Sequence, residues 1–181
     1  MPGWPDRPRF SPSVSICNAE NWYRETGVLT LWTGAAWSTA NLAVYTPIYV
    51  PKPMSLTQLG VFHGGVVSGN IDVGIFLPDS EGKPGARLVS KGSTAQAGIN
   101  SLVLHNTADV WVDGLVYLAC ALDNNTGQLM RLVALAADGS GPNEGSIFTQ
   151  AAAFPLPANA TPNAAGVAAN IPVMIATVGM S

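Results

Sequence analysis

From Val28 onward, glycines and prolines cut the chain into β-branched and aromatic runs about ten residues apart, and this punctuation constrains the fold more than any other feature. The runs include VLTLW, ANLAVYTPIYVP, LTQLGVF, SLVLH, SIFTQ and IPVMIATVG. With 19 glycines and 14 prolines spread through the chain, long helices have little room to form. The most legible stretch is Val67 to Gly98. There Ile71, Val73 and Ile75 alternate with Asn70, Asp72 and Gly74, the period of two of a strand with one buried face. This alternation predicts that the three aliphatic residues face a core and that Asp72 faces solvent, where a change to serine is nearly silent. Pro78 to Gly85 is dense in turn formers, and Arg87-Leu88-Val89-Ser90 resumes an extended segment, so the whole predicts one antiparallel hairpin.

Further along, Gly114 to Leu122 is apolar at nearly every position, as a strand covered on both faces would be. Asp113-Gly114 reads as a tight turn between two short strands. Pro47 inside Tyr45 to Val50 predicts an edge position or a bulge. LMRLVALA fits a strand or a short helix by period, and its Asn/Gly-rich flanks favour the strand. The proline- and alanine-rich stretch 155–170 has no core of its own and is expected to lie over the sheets or against a neighbour. About nine or ten strands at this spacing predict an all-β antiparallel sandwich, jelly-roll-like, over residues 28–181.

Residues 1–27 differ. Pro2, Pro5, Pro8 and Pro12 fall at near-regular spacing around Arg7 and Arg9, with Trp4, Phe10, Trp22 and Tyr23 nearby. Such a segment excludes a helix and predicts an extended proline-rich arm. Because disordered tails are poor in aromatics, the arm reads as a docking element, with Trp4, Arg7, Arg9, Phe10, Trp22 and Tyr23 as its assembly contacts. A frayed terminus is the plainer alternative.

Only 10% of the residues are charged, against roughly 25% in an average soluble domain. Residues Thr26 to Val50 and Gly145 to Ser181 carry no charge at all. Neither is an uninterrupted apolar run of about 20 residues, so membrane insertion is not expected. Covering by other subunits is. A net charge of −3 offers nothing to nucleic acid. Cys17 and Cys120 are the only cysteines; separate thiols and a disulfide are both open, and the thiols fit better.

No catalytic or metal-binding constellation stands out. His63 and His105 each end an expected strand, and Ser68 lacks the surroundings of a nucleophile elbow. Asp138 to Gly145 and Asp123-Asn124-Asn125 read as turns, since neither has the carboxylate alternation of a calcium loop. No cofactor motif is present. Trp22, Tyr23, Trp32, Trp37, Tyr45 and Tyr49 crowd into one region of sequence. Core or subunit contact is the favoured use of these rings; a sugar platform at Trp32 and Trp37 is the alternative, because sugar faces stack on aromatic rings.

VSGN, DVGIF, the Gly/Pro loop and LVSKGSTAQAG, preceded by TPIYVP and followed by GLVYLACALDN and FPLP…IPVMIATVG, resemble the β-sandwich domains of tailed-bacteriophage virion proteins. The resemblance extends over about Val28 to Gly179 and carries no catalytic motif. It implies a non-enzymatic structural part of a phage particle, a head-decoration or tail/fibre protein, assembled in the host cytoplasm and resident in the virion. Its implied partners are other virion proteins and further copies of the chain, with a homotrimer favoured. The rivals are an adhesin that binds host-surface glycan and, more remotely, a β-sandwich hydrolase.

Overall fold

The computed structural model describes residues 15–17, 32–132, 147–162, 164–165 and 171–177. Its strands are β1 (Ser15–Cys17), β2 (Trp32–Ala36), β3 (Ala43–Phe62), β4 (Asn70–Pro78), β5 (Pro84–Ser90), β6 (Thr94–Ala95), β7 (Leu102–Leu122), β8 (Gln128–Leu132), β9 (Phe148–Gln150), β10 (Ala164–Ala165) and β11 (Met174–Thr177). No helix occurs among the described residues, every pairing is antiparallel, and the large sheet curls into a half-barrel. The fold is all-β and sandwich-like.

The large sheet runs β1-β11-β3-β7-β4-β5, with β6 added to β4 and β9 to β3; β2 and β8 form a separate two-stranded sheet. Long strands β3 and β7 are its spine, paired from Ala43↔Ala121 to Phe62↔Leu102. The expected hairpin is present as β4 and β5, with Asp79 closing the turn by accepting the amides of Glu81 and Lys83 at 2.8 and 2.9 Å. Ser15–Cys17, inside the expected arm, pairs with β11 and so belongs to the sheet's outer edge. The rest of residues 1–27, including Trp4, Arg7, Arg9, Phe10, Trp22 and Tyr23, lies outside the described residues, as does the boundary drawn at Val28.

Each face of the spine has its own cover. On one face, Val44, Ile48 and Val50 of β3, Val116, Leu118, Cys120 and Leu122 of β7, and Ile71, Val73 and Ile75 of β4 form the main core. Trp37 and Leu129 from the small sheet's side, with Ile171 and Val173, close over it. On the other face, Ala43, Tyr45, Tyr117, Ala119, Ala121 and Phe76 pack against Ala153, Leu156 and Ala160. The described part of the stretch after β9, around 153–160, thus lies over the sheet, one of the two placements expected for 155–170. It is tied down by backbone bonds Arg87 N to Ala158 O and Ala160 N to Gly85 O, each 2.8 Å, and by the Arg87 guanidinium on Leu156 O. Tyr45 and Phe76 meet edge to face, centroids 5.1 Å apart, beneath it.

Two expectations fail on β7 and β4. Asp113-Gly114 is no turn: β7 passes straight through it, and Gly114 at φ +66° sits where the pairing jumps from Val50↔Gly114 to Met54↔Val112. A bulge uses the same left-handed conformation as a turn, so the dipeptide alone does not distinguish them. Asp72 does not face solvent; it is fully buried on the second face. Its carboxylate accepts the Leu156 amide at 2.9 Å and the Gly92 amide at 2.9 Å, which pins the covering stretch to the sheet. Burial raises the Asp72 pKa, while these amides and Arg87 pull it back. Beside it Gly74 leaves room for the cover, since a Cβ there would stand 2.8 Å from Val89 O and 3.0 Å from the Leu156 side chain.

The expectation for Pro47 holds. Beyond β7, β3 gains a second neighbour only at Ala43–Tyr45 (β9) and Gln58–Val61 (β11). Among the described residues its stretch 46–56 is therefore an edge, and Pro47 costs no ladder bond there.

Asp72→Ala leaves two amides without their acceptor and is expected to destabilise the protein by about 3 kcal/mol, from the cost of unpaired buried donors. Urea denaturation measures it, and a midpoint equal to wild type would contradict the clamp. Val73→Asp places a charge in the main core and is expected to leave no cooperatively folded protein.

Candidate functional site: an uncovered aromatic face

The second face of the spine is covered only in part. Along β7, Tyr117, Ala119 and Ala121 lie beneath the 153–160 stretch, but Asp109, Trp111, Asp113 and Leu115 on the same face are exposed. They alternate with Val110, Val112 and Val116, which turn inward to the main core. On β3, Tyr49 stands opposite Leu115, and Ser55 opposite Trp111. Trp111 is 70% exposed and Tyr49 65%, the two most exposed large apolar side chains described. Ser55 donates to the Asp109 carboxylate, which holds that carboxylate beside Trp111. Asp113, on the other side of the indole, makes no hydrogen bond or ion pair with the described residues. The result is one aromatic ring, Trp111, between two exposed carboxylates, with Leu115 and the Tyr49 ring beyond Asp113, next to the edge of β3.

Such a face can stack flat apolar groups and pair with cations. The other exposed apolar residues, Val66, Leu77, Ile99 and Leu104, lie apart from it in sequence, and single apolar side chains at a surface are ordinary.

Trp37 cannot serve as a sugar platform. It is 2% exposed in the main core, and its indole N–H donates to Leu42 O at 3.0 Å. Tyr45 is likewise buried, with its hydroxyl on Gln150. Trp32 is described only as a backbone position in β2, opposite Leu132. Tyr49 stands out in sequence only as one of the crowd of rings, and Trp111 not at all: both occupy strand runs in a ribbon with bulges at Val50/Met54 and Leu56/Gln58.

The remaining polar groups hold structure. Asp123 accepts the backbone and side-chain N–H groups of Asn70, and Asn124 accepts Thr126 N and Gly127 N, so the Asp123-Asn124-Asn125 segment is a turn. Cys120 is a free, buried thiol. Among the described residues no three His, Cys, Asp or Glu side chains converge to hold a metal. No described helix is long and apolar enough to cross a membrane.

His63 and His105 are both buried, His105 opposite Leu59 and His63 bridged to Leu129. Among the described residues, both His63 ring nitrogens and Nε2 of His105 have no hydrogen-bond partner. Burial, helped by His105, lowers the His63 pKa to about 4; burial and Lys91 lower that of His105. A proton on either ring therefore opposes folding. Stability is complete above the ordinary histidine pKa near 6.5 and is lost as pH falls from there towards 4. The raised pKa of Asp72 acts in the opposite sense, its ionisation costing the fold as pH rises. Acidification from pH 7.5 to 4.5 is expected to remove about 2–3 kcal/mol through His63 alone. Urea midpoints at the two pH values check this: His63→Gln should show a drop smaller by that amount, and equal drops would refute it.

No protein-family model, no curated protein and no solved structure matches this chain.

Proposed function

We propose that the chain is a non-enzymatic structural component of a bacteriophage particle, a head-decoration or tail/fibre protein that acts in the virion through protein–protein contacts. The observation that carries this reading is the uncovered half of the spine's second face, where Tyr49, Trp111 and Leu115 are exposed beside a free strand edge. Exposed apolar patches on soluble proteins mark interaction sites, and Trp and Tyr are enriched at the centres of interfaces. The scarcity of charge agrees with a surface partly covered by other subunits. The placement in a phage particle is supported by the sequence resemblance. So is a homotrimer, since closed symmetry is the default for oligomers but dimers are the commonest. A second reading, a glycan-binding adhesin, draws on the same face, where rings stand beside Asp109 and Asp113.

Light scattering coupled to size exclusion is expected to give three times the 18.7 kDa mass of the chain. Trp111→Ala should weaken that association by about 2 kcal/mol, as loss of an interface tryptophan does, with the circular dichroism spectrum unchanged. A monomer at micromolar concentration, or association indifferent to Trp111→Ala, counts against the face. Antibody labelling of purified particles tests the location; particles lacking the chain would refute it. Glycan-array binding that disappears with Trp111→Ala while self-association persists would favour the adhesin.

A further inference from the structure

We propose that the occupant of the uncovered face is the proline-rich segment Pro2–Pro12 of a second copy of this chain. The inference rests on the protein–protein reading above and names its partner. The molecule itself shows what covers this sheet face. Over the first half, Ala153, Leu156 and Ala160, with Phe154 partly buried, pack on Tyr45, Phe76 and Tyr117, while Pro155 of the same stretch is exposed. The second half continues the same face with the same kind of groups, Tyr49, Leu115 and Trp111. Apart from β3 itself, with its prolines at 47, 51 and 53, Pro2–Pro12 is the other segment of the chain in which prolines recur every few residues beside aromatic ones.

The chemistry matches in two ways. Pro2, Pro5 and Pro8 are three residues apart, one turn of a polyproline II helix, so such a helix presents them on one side. Aromatic-lined surfaces dock that conformation because its entropy is already low. The charges are complementary as well. Arg7 and Arg9 lie two residues apart, about 6 Å in polyproline II geometry. Asp109, Trp111 and Asp113 succeed one another along one face of β7 at about 7 Å per pair of residues. One guanidinium can thus sit at a carboxylate while its neighbour lies over the Trp111 ring or at the other carboxylate. The segment leads into β1, at the outer edge of the sheet, with β11 and β3 between it and the Trp111-bearing β7. A segment of one copy on a different patch of the next is a heterologous contact, the kind that closes into rings such as a trimer.

The test is a charge exchange in the full-length chain, read by sedimentation velocity over a concentration series. Arg7→Asp with Arg9→Asp, and separately Asp109→Arg with Asp113→Arg, should each weaken self-association at least about tenfold. The chain carrying all four substitutions should recover most of that loss, since only paired groups compensate each other. Asp109 and Asp113 are exposed and outside the core, and circular dichroism checks the fold of each variant. Loss without recovery in the fourfold chain, or no loss in either pair, overturns the proposal. If Trp111→Ala weakens association while both charge pairs leave it unchanged, the face remains a contact and the occupant is another part of the partner. If association never responds to Trp111→Ala, the face itself fails. A chain that stays monomeric while Asp109→Arg with Asp113→Arg speeds trypsin cleavage after Arg9 binds its own segment, which also overturns the second-copy proposal. Glycan binding lost with Trp111→Ala, in a chain whose association is indifferent to all these changes, makes the face a sugar site.

Discussion

Seven consecutive residues of β7, Val116 to Leu122, are buried, and the architecture depends on them. In a strand, neighbouring side chains point to opposite faces, so an unbroken buried run means that both faces must be sealed. The sealing is unequal. Val116, Leu118, Cys120 and Leu122 meet the large main core under the small sheet, whereas Tyr117, Ala119 and Ala121 meet only a stretch of irregular chain. An irregular cover brings unpaired backbone groups with it, and those must be satisfied.

Asp72 answers that requirement. Its carboxylate takes the amide of Leu156, at the centre of the cover, and that of Gly92, after β5. Gly85, Arg87 and Asn41 bind further backbone groups of the same stretch. A carboxylate buried in an otherwise apolar layer of alanines and aromatic rings is costly in isolation. Here it joins the irregular cover to the β4–β5 hairpin, with which the cover shares no ladder through Leu156, and the hydrogen bonds offset its desolvation.

The cover ends before the sheet does. Beyond Tyr117 the β3–β7 ribbon continues with one face on the main core and Leu115, Asp113, Trp111 and Asp109 exposed on the other, while the outer edge of β3 lacks a strand neighbour over 46–56 among the described residues. The prolines at 47, 51 and 53 fall in this same stretch, where a missing amide breaks no ladder. They also guard the edge against indiscriminate strand pairing. A ribbon with a guarded edge and an aromatic face favours contact through side chains, which suits a specific partner better than strand addition.

The sequence by itself determined the class of fold, because alternation and turn chemistry are local. Ile71, Val73 and Ile75 point inward and β4 and β5 form a hairpin, as the residues predict. Of the run Gly114 to Leu122, expected to be covered on both faces, Val116 to Leu122 is buried but Leu115 is exposed. The described part of the proline-rich stretch lies over the sheet, one of the two placements expected. The site was not legible, because it depends on which face a cover reaches. Asp72 has the spacing of a solvent-facing residue; only the docking of Leu156, 84 positions away in sequence, makes it internal. Trp37 and Trp111 are both tryptophans in β-rich runs, and neither spacing nor composition separates them. Tertiary structure buries the first under the small sheet and leaves the second at 70% exposure, since the cover ends short of Leu115 and two bulges set the facing of the ribbon beyond it.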